Sequence, residues 1–75
     1  MTKKCKIKLS ATDVKDFVRT AEKYDFDIDV FYNRIIIDAK SILGVLSLDL
    51  SKNLTVQYHA TDSDFEQALQ KYVVA

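Results

Sequence analysis

The chain has 75 residues, 48% of them hydrophobic, with four tyrosines and four phenylalanines. That composition excludes a disordered chain and makes residues 1–75 one small domain, able to bury only ~60% of its unfolded-chain surface. Eleven basic and eleven acidic residues cancel, so net charge draws the protein to neither nucleic acid nor an anionic membrane.

Lys4-Cys5-Lys6-Ile7-Lys8-Leu9 alternates polar with apolar and reads as a strand with one wet face. Its lysines would discourage pairing with a stray strand if it lay at a sheet edge. Ser10 and Asp13 form an S-x-x-D pattern like a capping box, with Thr12 as a competing cap. Val14, Phe17, Val18 and Ala21 follow at helical spacing, which predicts a first helix over 12–23. Phe26, Ile28, Val30 and Tyr32 alternate with Asp27, Asp29 and Phe31 as a second strand. Asn33-Arg34 suits a two-residue turn because Asn tolerates positive φ. Ile35-Ile36-Ile37-Asp38 returns as the third strand. A short second helix is expected over 41–48, then a polar turn over 49–53.

Leu54, Val56, Tyr58 and Ala60 share one face of a fourth strand over 54–60. Thr61 and Asp64 repeat the capping pattern, and Phe65, Ala68, Leu69, Tyr72 and Val73 make the stripe of a last helix. The order is β-α-β-β-α-β-α. Clean alternation in the strands predicts an antiparallel sheet with one solvated face, and the helices would cover the other. The fold class is α+β, a two-layer open-faced sandwich.

Catalytic patterns are absent. The only histidine, His59, has the parity of the wet sheet face with Thr55 and Gln57, away from any nucleophile. Cys5 is the only cysteine and reads as a small hydrophobe of a reducing compartment. Neither metal ligation nor a cofactor is expected without a second His or Cys. Asp25, Asp27 and Asp29 lack the glycine and glutamate of a calcium loop, and a single glycine cannot build a phosphate-binding loop. No apolar run approaches the ~18 residues of a membrane span and no secretory leader opens the chain, so a cytoplasmic protein, not an enzyme, is expected.

The densest information lies in Ala39-Lys40-Ser41-Ile42-Leu43-Gly44-Val45-Leu46-Ser47-Leu48. It holds the only glycine of a chain without proline. Ser41 stands at the helix N-cap position. The apolar run behind it is too crowded for one stripe of a short helix to bury. Val45 and Leu48 are assigned to the core, and Ile42, Leu43 and Leu46 to a surface patch that would meet a partner. A phosphate on Ser41 would face free N–H groups and the positive end of the helix, with Lys40 as counter-charge.

This stretch resembles the K-S-I-M-G-V-M-S-L segment of HPr, the histidine-containing phosphocarrier family of the bacterial phosphotransferase system. The resemblance extends through Thr20-Ala21-Glu22-Lys23-Tyr24-Asp25 and from Asp64 to Leu69. It implies the open-faced β-α-β-β-α-β-α sandwich with sheet order 1-4-2-3. The family carries phosphate on a histidine in a G-I-H-A-R-P-like loop before the first helix. Here a shorter Ser10-Ala11-Thr12-Asp13 stands in its place, so phosphohistidine transfer is not expected. Ser41 aligns with the serine that HPr kinase/phosphorylase modifies. Ile42, Leu43 and Leu46, beside Lys40, align with the patch that docks that kinase and a LacI-type catabolite regulator. The pattern is partly similar to Crh, a family member that keeps the serine and lacks the histidine. The resemblance implies a regulatory protein-binding module. The alternatives are a divergent phosphocarrier using His59 and an HPr-fold protein with an unrelated binding role.

Overall fold

A computed structural model of the chain describes residues 2–74. Four strands, β1 (Lys3–Ile7), β2 (Ile28–Tyr32), β3 (Ile35–Asp38) and β4 (Leu54–Tyr58), form one antiparallel sheet in the order β1-β4-β2-β3. Three helices, α1 (Asp13–Glu22), α2 (Ile42–Leu46) and α3 (Ser63–Leu69), complete the order anticipated from the hydrophobic periodicity. The register sets Cys5, Val56, Val30 and Ile37 across one face, and Lys6, Thr55, Phe31 and Ile36 across the other. Only the first of these rows is covered by helices. Ile7, Ile28, Val30, Leu54 and Val56 from the sheet meet Val14, Phe17, Val18 and Ala21 from α1, Val45 from α2, and Phe65 and Leu69 from α3. Each large apolar side chain buried in this layer contributes roughly 1.5–3 kcal/mol.

The helix caps follow the expected patterns in part. Ser10 and Asp13 make the reciprocal pair expected: the Ser10 N–H donates to the Asp13 carboxylate at 2.9 Å, and the Asp13 N–H donates to the Ser10 hydroxyl at 3.2 Å. Thr12 makes no side-chain cap. At α3 the cap is Asp62, not Thr61. Its carboxylate accepts the Phe65 N–H at 3.0 Å, and a carboxylate there gains from the helix dipole as well as from the hydrogen bond.

The last helix also stops short of the predicted stripe, at Leu69. Tyr72 and Val73 are apolar at helical spacing, but Tyr72 is buried from a turn, its N–H donating to the Leu69 carbonyl, and Val73 stays 37% exposed. The Lys8 N–H donates to the Tyr72 carbonyl, the Val74 N–H donates to the Lys6 carbonyl, and Ile7 bridges Val73. Residues 72–74 thus lie along the outer side of β1. Tyr72 still reaches the core, edge-on to Phe17 at 5.7 Å.

Candidate functional site

The turn before α2 is fixed at both ends. Ala39 is fully buried and its N–H donates to the Ile28 carbonyl, which carries the chain one residue past β3. The Asp38 carboxylate then accepts the Lys40 N–H at 2.9 Å, and the Asp38 carbonyl accepts the Ser41 N–H at 3.0 Å. Ser41 is thereby left extended (φ −105°, ψ 108°), the conformation of an N-cap, and its hydroxyl oxygen accepts the Gly44 N–H at 3.0 Å. Its carbonyl accepts the Val45 N–H and opens the helix.

Gly44 is required by close approach rather than by backbone freedom. A Cβ at this position would lie 2.5 Å from Cγ2 of Ile37 and 3.0 Å from the Ser41 hydroxyl oxygen. The bare backbone lets α2 settle onto β3. Once it does, the residues of the helix divide as anticipated. Val45 is fully buried and Leu48 nearly so, whereas Ile42 is 41%, Leu43 81% and Leu46 45% exposed. Ile42, Leu43 and Leu46 on α2 are therefore gathered with Lys40 and Ser41 of the turn before it, the hydroxyl half-buried beside an exposed apolar surface.

The other chemically suggestive groups lie elsewhere. The connection from β1 to α1 contains no histidine. It is closed by the Ser10–Asp13 pair and by a 2.8 Å hydrogen bond between the Ser10 and Thr12 hydroxyls. The Ser10 backbone N–H, with the nearby Ser10 hydroxyl second, holds the Asp13 carboxyl below the usual carboxylate range. His59 is exposed just past β4, with its Nδ1 2.9 Å from the Thr2 hydroxyl. Cys5 is half-buried rather than fully inside, and burial, with the Glu66 charge second, raises its thiol pKa. Among the described residues no three His, Cys, Asp or Glu side chains are placed to hold a metal ion.

One polar cluster had no sequence signal beyond its residue types. Glu66 accepts hydrogen bonds from Lys3 at 2.8 Å and from the Tyr58 hydroxyl at 2.7 Å. Those two partners lower the Glu66 carboxyl pKa, while burial and Glu66 push the Tyr58 phenol up. The cluster flanks an aromatic group in which the Phe65 ring meets Tyr58 and Tyr24 edge-on at 5.0 and 5.1 Å. It ties α3 to β1 and β4. The connection is one that strand and helix periodicity cannot supply.

Solved structures similar to this one come from phosphocarriers and a relative of theirs. Phosphocarrier protein HPr from Bacillus anthracis str. Ames is 25% identical, with a TM-score of 0.72, over 99% of this chain and 96% of that one. HPr-C-His from Thermoanaerobacter tengcongensis is 28% identical, with a TM-score of 0.70, over 95% of this chain and 88% of its own. The catabolite repression protein Crh of Bacillus subtilis is 28% identical, with a TM-score of 0.61, over 88% and 76% respectively. Residues 2–73, which include every element of the sandwich, match the family described as the PTS HPr component phosphorylation site, and the chain belongs to that family, the HPr-like phosphocarriers of the phosphotransferase system.

Proposed function

We propose that the protein is a regulatory, protein-binding member of the HPr family in which Ser41 is a phosphorylation switch and histidine phosphotransfer has been given up. The observation that carries this reading is the juxtaposition on α2 of a capping hydroxyl with Ile42, Leu43 and Leu46, all exposed. Phosphate transferred from ATP to the Ser41 oxygen, with loss of the hydroxyl proton, would put two negative charges at the base of an apolar docking surface. A partner resting on Leu43 and Leu46 would read that change directly. Lys40 is the adjacent counter-charge. By resemblance the partners are HPr kinase/phosphorylase and a LacI-type catabolite regulator, and the setting is the cytoplasm. No cofactor and no catalytic group enter the reading.

The test is incubation with HPr kinase and ATP. Wild-type protein should incorporate phosphate and Ser41→Ala should not. No incorporation under conditions that label a cognate HPr would sink the switch. Carriage on His59 is the rival reading, supported by an exposed ring whose Nδ1 is already engaged by Thr2. It requires acid-labile phosphate after enzyme I and phosphoenolpyruvate, lost in His59→Ala.

A further inference from the structure

The two edges of the sheet are treated very differently. The β1 edge carries Lys3, Lys4, Lys6 and Lys8, and its outer side is paired with residues 72–74 through the Lys8, Lys6 and Ile7 contacts. Lysines and a covering segment are two of the standard protections for an edge strand. The β3 edge has neither. Its residues are Ile35, Ile36, Ile37 and Asp38, with Ile36 67% and Ile35 52% exposed. Among the described residues no segment pairs with its outer side.

The backbone at that edge is set for pairing. Tyr32 and Ile35 flank the two-residue Asn33-Arg34 turn, where Asn33 takes a φ of 55°. In such a hairpin the flanking pair exchanges both backbone hydrogen bonds, so Ile36, one place on, turns its N–H and C=O outward. The sequence around it, Arg34-Ile35-Ile36-Ile37-Asp38, is complementary to its own reverse. Antiparallel pairing centred on Ile36 sets Ile36 against Ile36, Ile35 against Ile37, and Arg34 against Asp38. Each of these pairs falls on a single face of the sheet. Arg34 makes no ion pair among the described residues, and one Asp38 oxygen is taken by the Lys40 N–H, which leaves the other for a guanidinium.

We propose that the β3 edge associates with the β3 edge of a second copy, antiparallel about a two-fold axis at Ile36, to join the two sheets. The contact is self-complementary, as a two-fold interface must be. It leaves the exposed face of α2 outside the joint and is independent of any role for Ser41.

Sedimentation of the full chain over a concentration series tests the pairing. Wild-type protein should associate, and Ile36→Lys should weaken association at least ~tenfold by setting two ammonium groups opposite each other across the axis. The Ile36 side chain lies on the open sheet face, so circular dichroism of this variant should match wild type. Arg34→Glu, which faces Asp38 of the second copy, should act in the same direction. In a Cys5→Ser background, Ile36→Cys should oxidise to a disulfide dimer, because paired Cα atoms ~5.5 Å apart lie within disulfide reach. A wild-type protein that stays monomeric to ~1 mM, beyond which association is too weak to be specific, overturns the proposal. So does a dimer that Ile36→Lys and Arg34→Glu leave unchanged.

Discussion

Gly44→Ala isolates the contact that seats α2. The added methyl would stand 2.5 Å from Cγ2 of Ile37, against the ~3.5–4.0 Å at which carbon atoms rest. Ile37 cannot swing away cheaply, because it is β-branched, paired with Val30 and half-buried between sheet and helix. Overpacking of this kind costs about 1–3 kcal/mol. An approach of 2.5 Å to a stiff side chain belongs in the upper half of that range, about 2–3 kcal/mol. Alanine's better helix propensity offsets up to ~1 kcal/mol, which leaves a net loss of at least about 1–2 kcal/mol. For a domain of this size each kcal/mol lowers Tm by about 4–8 °C. Thermal denaturation followed by circular dichroism should therefore show Gly44→Ala melting several degrees early. The decisive comparison is the same substitution in an Ile37→Leu background. Leucine keeps the volume and has no Cγ2, so much of the penalty should disappear as coupling between the two sites. A neutral or stabilising Gly44→Ala, or an equal penalty in both backgrounds, would refute the close-contact reasoning.

Three further outcomes are expected. Val45→Asp should leave the domain unfolded at room temperature by circular dichroism, since it buries an unpaired carboxylate in a fully closed site, whereas Leu46→Asp, 45% exposed, should melt close to wild type. Ser41→Ala should remain folded but lose about 1 kcal/mol in a urea titration, the worth of the hydroxyl that accepts the Gly44 N–H. Lys3 and Tyr58 hold the folded-state pKa of Glu66 below its ordinary value, so their stabilisation is complete above that value, ~4.3, and is lost as the pH falls through the depressed one. Tm should drop as the pH is lowered from ~5 to ~3, and Glu66→Gln should flatten part of that drop, Asp13 and Asp49 adding to it in the same direction.

Much of this fold is written in periods of two and 3.6. Val14, Phe17, Val18 and Ala21 can face one core only as a helix, and Leu54, Val56 and Tyr58 only as a strand, so element type and inward face were legible. The division of α2 was legible too, since five apolar residues in so short a segment cannot all be buried. Sheet order was not legible from periodicity, because pattern says which face is wet and not which strands are neighbours. It came with the resemblance. Nor could spacing tell that a turn carries Tyr72 and sets Val73 beside β1, because a helix would bury Tyr72 as well. Thr61 and Asp62 both precede the apolar run, and only backbone geometry selects Asp62 as the cap. Gly44 stood out as the only glycine, but its reason is a contact with Ile37, which depends on tertiary structure.

Ser10 and Ser41 are both capping serines, and their surroundings predict opposite responses to a kinase. Ser10 is bound twice over. Its hydroxyl accepts the Asp13 N–H and pairs with Thr12, and its own N–H is held by the Asp13 carboxylate. A phosphate there would displace the Thr12 contact and stand beside a carboxylate, which is unfavourable on both counts. The Ser41 hydroxyl accepts a single hydrogen bond, from the Gly44 N–H. The first turn of α2 carries no acidic residue, and Lys40 precedes it. A phosphate at Ser41 would keep its N–H donor and gain a cation and the positive end of a short helix, each worth a few tenths to ~1 kcal/mol at the surface. Phosphate incorporated by the kinase should therefore map to the peptide holding Ser41, and a Ser10→Ala variant should be labelled as fully as wild type. If instead the label follows Ser10, local electrostatics does not choose the site, and the case for α2 as the regulated surface falls with it.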